Sequence, residues 1–593
     1  MKFKTDKKKD LRRSHIIEFA AAFLIIIFVN LISHYLFGRL DLTAEHRYTI
    51  SKATKQMLKE VDETVLFRVY LEGDIPSDYK RLQNETREML NQFRAYNRNV
   101  EYEFVNPNSF EDKQEQQVFY QKLAQKGIQP AFIQVQNEDG VTQKVLIPAA
   151  DVFYKGRETS IQLMQNQTYE AEDVALNNSI QNLEYVLSNA IRGLSRSVKP
   201  KVGFLLGHGE LERGAVYDIQ MALFDNYRLE NVLLTKDSVA DVNALTTRNR
   251  AADSTIKFSN KFDVLVVAKP TQEFSDQELY VIDQYVMYGG KVLWLVDPLD
   301  ADMDSLATQH QAVVTRLPEN LNEMLFTYGV RINSDLIMDV RCRPIPMAVG
   351  QVGDKAQLAF RPWLYFPDLV PTSEHPIVRN LDMIKTDFVS SIDLIDNDIT
   401  KTVLLATSEF SRVKNAPIII DLNEAKSDVS QEDQRLFNRQ NIPVAVLLDG
   451  EFNSMFRSRL APSFTSLPEM GYKSKSQPTK MIVISDGDMI KNRYSYKDNS
   501  TYPLGYDYYT QTMYANKQFI LNCIDYLAGD EDVLATRSRN VKMRKLNVIK
   551  AKESRTAYQV LNVGLPVVLI LLVAPVVIVV RKRRFIKKKS NKK

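Results

Sequence analysis

The sequence predicts a multidomain α/β body outside the membrane, with one transmembrane helix at each end. Three observations lead there. Apolar runs stand just inside both termini, FAAAFLIIIFVNLISHYLF at Phe19–Phe37 and VLNVGLPVVLILLVAPVVIVV at Val560–Val580. Both termini are basic. Between them, short apolar strands alternate with helical patterns, as in a parallel sheet buried on both faces.

The anchors rest on the placement of charge. The 593 residues hold 77 Lys+Arg against 73 Asp+Glu, a net of +4. Mapped along the chain, this resolves into a net of +5 over residues 1–15, +9 over 581–593 and −10 between them. At about 1.5 Å per residue, a run of roughly 20 residues crosses a hydrocarbon core about 30 Å thick. Basic flanks stay cytoplasmic, so both termini are expected inside and the body outside. After Phe37 the chain reads GRLDLTAEHRY, which has no small-residue cleavage site and suggests an uncleaved anchor. Pro566 and Pro575 in the second run mark a bend, or places where a partner helix satisfies freed carbonyls. With 44% hydrophobic and 25% charged residues the chain is not a disordered one, and its acidic middle lacks the basic footprint nucleic acid demands.

The expected order is a cytoplasmic tail (1–15), a first span (16–38), a small α/β domain (39–195), a doubly wound α/β domain (199–345), a further α/β region (346–530), a stalk (531–559), a second span (560–580) and a basic cytoplasmic tail (581–593). In the small domain, a helix capped by Ser51 precedes strand TVLFRVYL, a long amphipathic helix from Ser77, strand VEYEFV, a helix near Lys113–Lys126, and strands AFIQVQ and QKVLIP. That β-α-β-α-β-β order is of thioredoxin-like type, without the Cys-x-x-Cys of redox chemistry. In the second domain KVGFLL, FDVLVVA and KVLWLVD read as buried parallel strands. Between the last two, Ser275 and Glu278 form a capping box and Leu279, Ile282 and Val286 one apolar helix face. KTVLLAT, VAVLLDG and MIVISDGD continue the α/β pattern, followed by a helix at Asn516–Leu527.

The search for chemistry is mostly negative. No phosphate-binding G-x-x-x-x-G-K-[ST] loop is present, so the chain does not hydrolyse ATP by that route, and no cofactor is expected. None of the six His residues pairs at metal-ligand spacing, and no G-x-S-x-G elbow occurs. Cys342 and Cys523 could be free thiols or one bridge. Three features remain. Gly207-His208-Gly209-Glu210 follows a buried strand, where open α/β sheets bind ligands; its N–H groups could meet an anion and His208 act as acid or base, or the turn could be structural. Asp297–Asp304 (DPLDADMD) holds four carboxylates suited to capping a helix. Seven tyrosines from Tyr494 to Tyr514, including Tyr502, Tyr506, Tyr508 and Tyr509, could stack on sugars, form a protein interface or pack on the domain.

Several ordered stretches resemble the GldG-type gliding-motility components of ABC transporters and the wider ABC-transporter auxiliary family. They include DLTAEHRYTISKATKQML, LSNAIRGLSRSVKPKVGFLLGHGELE, FSDQELYVIDQYVMYGGKVLWLVDPLDADMDSL, IPVAVLLDGEFNSMF and PLGYDYYTQTMYANKQFILNCIDYLAGDED. The resemblance implies a non-catalytic subunit of the bacterial inner membrane with a periplasmic body. It would work beside a GldF-like permease and a GldA-like ATPase in gliding and type IX protein secretion of Bacteroidetes-type bacteria, and could form a homo-oligomer. It also implies that the middle unit is amidotransferase-like, without a catalytic Cys. The rivals are a hydrolase-like enzyme acting at the GHGE turn and a glycan-binding envelope anchor.

Overall fold

The structure is a computed structural model. It describes residues 50–529 with short interruptions, and scattered helical residues within 17–28 and 562–582. Two compact units divide the chain, residues 1–539 and 540–593. The tails 1–15 and 583–593, and the stalk 531–559, lie outside the described residues.

The first domain begins with helix α1 (Lys52–Glu60), whose N-cap Ser51 accepts from the Thr54 N–H, as read from sequence. Strand β1 (Val65–Val69), helix α2 (Ser77–Tyr96), strand β2 (Val100–Phe104) and helix α3 (Lys113–Gln125) follow. Strands β3 (Ala131–Asn137) and β4 (Gly140–Leu146) are the two expected next, and they pair only with each other. The main sheet instead takes β5 (Ala149–Tyr154) and β6 (Arg157–Gln162), in the order β2-β1-β5-β6, with β1 parallel to β2 and antiparallel to β5. The β5–β6 turn uses positive φ at Lys155 and Gly156, the conformation of a tight hairpin. Leu82, Leu90 and Phe93 of α2 share one core with Leu183, Leu187 and Ile191 of the long helix α4 (Glu172–Ser195). Buried Glu184 of α4 accepts from the Ser51 N–H at 2.7 Å and the Thr54 hydroxyl at 2.8 Å, fixing α1 to α4.

The second domain is built on a seven-stranded sheet. Its parallel part contains β7 (Lys201–Leu206), β8 (Arg228–Leu233), β9 (Val264–Ala268) and β10 (Lys291–Leu295). Helices α5 (Tyr217–Phe224) and α6 (Asp276–Met287) make the crossovers, α6 with the expected Ser275–Glu278 capping box. An antiparallel pair, β11 (Asp335–Asp339) with β15 (Ser411–Asn415), brackets a long ribbon of β12 (Cys342–Val352) and β13 (Lys355–Leu369). Strands β14 (Thr400–Ala406), β16 (Pro443–Gly450) and β17 (Thr479–Ile484) return to the main sheet. Its order is therefore β14-β16-β17-β10-β9-β7-β8, so the α/β structure expected beyond residue 346 extends the same sheet. Helix α7 (Asn516–Leu527) completes the layers.

Strand side chains alternate between two cores. Val264, Val266, Leu293, Leu295, Ile482 and Ile484 face the side covered by α5 and α7. Leu265, Val267, Val292, Trp294, Met481 and Val483 face the side covered by α6. Burial on both faces is why these strands read as unbroken apolar runs, each such side chain contributing about 1.5–3 kcal/mol. Both cysteines are free, Cys523 within the first of these cores.

Among the described residues no helix is long and apolar enough to cross a membrane. Both apolar terminal runs lie only partly within those residues. Their described members, Pro566 and Pro575 included, are helical, and large apolar side chains such as Phe19 and Ile570 are exposed.

Asp283 of α6 is fully buried and accepts from Tyr328 Oη (2.9 Å), Ser454 Oγ (2.6 Å), the Met455 N–H (3.1 Å) and Gln284 Nε2 (3.0 Å). Replacing it by Ala strands these donors in the core. The Asp283→Ala chain is expected to lose about 3 kcal/mol of stability, measured by thermal unfolding; an unchanged midpoint would show that the donors find water.

Candidate functional site

In an open α/β sheet, ligands bind beyond the carboxyl ends of the strands where the winding reverses. Here β7 continues through α5 to β8 on one side, while β9 continues through α6 to β10 on the other, so the reversal lies between β7 and β9. The GHGE turn stands there. Gly207 and Gly209 have φ of +118° and +76°, and a side chain on Gly209 would collide with Thr271 Oγ1. The His208 carbonyl accepts from the N–H groups of Thr271 (2.8 Å) and Gln272 (2.9 Å), locking the turn to the loop after β9.

The structure brings His208 and Glu210 together and adds Glu278, which the sequence marked only as a cap residue. His208 is buried and stacks on Phe274 with ring centroids 3.8 Å apart. Its Nδ1 lies 3.4 Å from Glu210 Oε1 and its Nε2 3.2 Å from Glu278 Oε2. The anion met by the turn is its own: the His208 N–H donates to Glu210 Oε2 at 2.6 Å. Burial opposes the imidazolium, but the two carboxylates outweigh it and raise the His208 pKa. Burial likewise opposes the Glu278 carboxylate. Hydrogen bonds from Thr235, from the Ser275 N–H and hydroxyl, and from His208 hold its pKa down at about 2. An imidazole between two acids favours a cation and repels an added anion.

The next three strand ends meet in an ion cluster. Lys269, directly after β9, places Nζ 3.0 Å from Asp297 Oδ2, after β10, and 2.5 Å from Asp488 Oδ2, after β17. Asp297 also accepts from the Gly487 N–H. A Cβ on Gly487 would lie 2.7 Å from the Lys269 side chain, so glycine permits the approach. Burial pushes the Asp297 pKa up, against the pull of Lys269, and pushes that of fully buried Asp486 well up. The Lys269 pKa is raised because the flanking carboxylates outweigh burial. This corrects the capping role expected for the acids from Asp297 to Asp304: Asp297 is an ion-pair partner, and Asp302, at the N-cap of the following short helix, makes no side-chain cap bond. Among the described residues no group of three or more His, Cys, Asp or Glu is placed to hold a metal ion.

Asp486 carries the network outward, accepting from the Asp488 N–H at 2.9 Å and the Asp387 N–H at 3.0 Å. Asp387 pairs with buried Arg343, whose Nε lies 3.2 Å from Asp507 Oδ2. Burial works against the Asp387 carboxylate, yet Arg343 and Lys385 lower its pKa. Asp368, beside Arg343 and hydrogen-bonded by Tyr514, is pushed up to about 6 by burial. Asp507 accepts from the N–H groups of Tyr509 (3.0 Å) and Thr510 (2.8 Å), so the tyrosine loop hangs on this network. Tyr502 stacks on Tyr506 at 5.8 Å and meets Tyr508 edge-on at 5.5 Å. Tyr508 and Tyr509 are about half exposed, and the Arg493 guanidinium lies 4.5 Å from the Tyr508 ring. Lys269, Asp486, Asp488, Arg343 and Asp387 belong to no motif in the sequence; the one signal is aspartate directly after apolar strands, in LVDP and ISDGD.

Apart from this sheet edge, a cavity of about 470 Å³ lies between the two domains, lined by β6 and α4 on one wall and by Asn226, Tyr227 and α7 on the other. At its side Asp525 accepts from Tyr227 Oη (2.6 Å) and Tyr185 Oη (3.2 Å), tying α4 to α7.

Residues 199–523, more than half of the chain, match the model of a family described as an ABC-type uncharacterized transport system. The chain belongs to that ABC-transporter auxiliary family. Residues 44–152, most of the first domain, match a separate domain of unknown function, DUF7088. An "uncharacterized protein" of Borreliella burgdorferi is 19% identical over 560 residues, covering 92% of each chain. A solved structure titled "mmIFT52 N-terminal domain" aligns over 55% of this chain and 96% of its own, with 13% identity and a TM-score of 0.27.

The raised His208 pKa has a definite sign. A folded value above the unfolded value of about 6.5 stabilises the chain fully below that pH, and the contribution fades as pH rises through the folded pKa. The thermal midpoint of His208→Gln should therefore fall less than that of the parent chain as pH rises from about 6.5 through the folded pKa. Parallel pH profiles would show that the imidazolium pairs contribute nothing. Lys269→Ala, which leaves two acids in the core, should cost about 3–5 kcal/mol by the same measurement, and a neutral result would contradict the burial of the cluster.

Proposed function

We propose that the chain is a non-catalytic, membrane-anchored subunit of an ABC-type transport complex, working beside a GldF-like permease and a GldA-like ATPase. The observation that carries this reading is the occupied carboxyl edge of the seven-stranded sheet. Where a ligand would sit, His208 lies between its own two glutamates and Lys269 between two aspartates. Family membership supports the association with a transporter. The basic ends and apolar runs of the sequence support two anchors with both termini in the cytoplasm and the body in the periplasm. The strand order and helix layers of the first domain support a thioredoxin-like fold, and the reversal in the second supports an amidotransferase-like one. Gliding and protein secretion are the processes such a complex would serve.

In this role the body holds a client or passes ATP-driven motion from the permease to the envelope. The half-exposed tyrosines around Tyr508 supply a protein-docking surface, since tyrosine gives large contact area at little entropic cost.

Isolation of the tagged full-length chain from its native membrane should recover a permease and an ATPase in fixed ratio, read by mass spectrometry; a chain recovered alone would contradict the proposal. His208→Ala, in a chain that still folds and assembles, should leave cellular function intact, whereas its selective loss would favour an enzyme acting at the GHGE turn.

A further inference from the structure

The cavity of about 470 Å³ between the two domains has no part in the networks at the sheet edge. Its volume lies within the range of ligand sites, roughly 300–1,000 Å³. All six residues of β6, Arg157 to Gln162, line it. A strand turned face-on would present only alternate residues, so the cavity runs along the outer edge of β6. Among the described residues β6 pairs with β5 alone and ends the sheet on that side. Backbone polar groups alternate in direction along such a strand. The Leu163 N–H donates to the Pro148 carbonyl on the β5 side, so Ile161 and Thr159 also turn toward β5, while Ser160 turns its N–H and C=O outward.

The facing walls add two carboxamides. Asn189 on α4 and Asn226 after α5 line the cavity half-buried, and among the described residues neither side chain makes a hydrogen bond. They stand close together, since a Cβ on Gly193, one turn beyond Asn189, would collide with Asn226 Oδ1. The charged groups beside them are committed. Arg157 and Lys199 donate to the Arg196 and Phe224 carbonyls at 2.7 and 3.0 Å, and Asp525 holds the hydroxyls of Tyr185 and Tyr227. Those two tyrosines are 7% and 2% exposed and give no open ring face on which a sugar could stack. Each carboxamide offers a donor beside an acceptor, the pattern of a peptide bond.

We propose that the cavity takes a segment of extended polypeptide, which adds to β6 as a further strand through the Ser160 N–H and C=O while Asn189 and Asn226 bond its remaining amides. At about 3.3 Å per residue, β6 offers roughly 20 Å of edge. Strand addition draws its affinity from main-chain bonds and so accepts varied sequences. The inference rests on the client-holding role proposed above and gives that client a chemical form.

The test uses the full-length chain in detergent and fluorescein-labelled, reduced and carboxamidomethylated ribonuclease A, a permanently unfolded probe. Anisotropy is read in high salt, which screens general charge attraction. The unfolded probe should bind and native ribonuclease A should not. Ser160→Pro removes the outward N–H and leaves the bonds to β5, since proline is tolerated on edge strands; it should weaken binding about tenfold. Ser160→Ala loses the same hydroxyl bond to Asp151 but keeps the N–H, and should bind severalfold tighter than Ser160→Pro. Asn189→Leu with Asn226→Leu should weaken binding severalfold, circular dichroism verifying the fold of each variant. The proposal is overturned if the unfolded probe fails to bind, if the native protein binds as well, if Ser160→Pro or the double variant binds like the parent, or if chitotetraose displaces the probe. A chain that binds the probe but is recovered without a permease defeats the transporter reading alone, whereas an assembled complex that does not bind it defeats the strand site alone.

Discussion

The fold turns on an ammonium group placed between two carboxylates at the ends of three strands. Lys269 Nζ reaches Asp297 and Asp488 from a backbone with φ of +56°, and the glycine at 487 leaves room for its side chain. Transfer of such charges out of water costs several kcal/mol per ion, and is compensated only by close pairing and further hydrogen bonds. The Gly487 N–H supplies one of these to Asp297, and Asp486 binds the N–H groups of both Asp488 and Asp387. The cluster thus fixes β9, β10 and β17 in one register at the edge where a doubly wound sheet would otherwise open to a ligand.

From this centre the charges continue to the surface. Asp387 and Arg343 connect the sheet edge to the base of the long ribbon, and Asp507 connects Arg343 to the tyrosine loop. On the other side Asp525, Tyr185 and Tyr227 bind α4 to the layer formed by α7. Under the proposed function, a body braced in this way would pass a displacement from one surface to another, and its sheet edge is filled by its own side chains. Such bracing fits membership of an ABC-type transport system family.

The sequence made local structure legible and long-range partnership illegible. KVGFLL, the Ser275–Glu278 cap and helix Asn516–Leu527 are legible because their signals lie within a few residues. Strands β5 and β6 are not legible: AADVFY and RETSIQ lack alternation, and the more β-like AFIQVQ and QKVLIP form a separate hairpin. Strands β14, β16 and β17 were visible one by one, but no local pattern announces that they join β10 in one sheet. The same limit governed the site. His208 was noticed for its glycines, but Glu278 acts on it from 70 residues away in sequence, and a lone lysine after a strand, such as Lys269, carries no pattern at all.

We hold that the carboxyl edge of the seven-stranded sheet is structural. Its most direct test is a neutral, size-matched replacement of the whole ion cluster, Lys269→Met with Asp297→Asn and Asp488→Asn, since removing all the charges leaves none stranded. With folding verified by circular dichroism and complex assembly by co-isolation, the quantity to measure is complementation of a deletion strain. Full complementation is expected, while a folded, assembled complex that fails to complement would place chemistry at that edge.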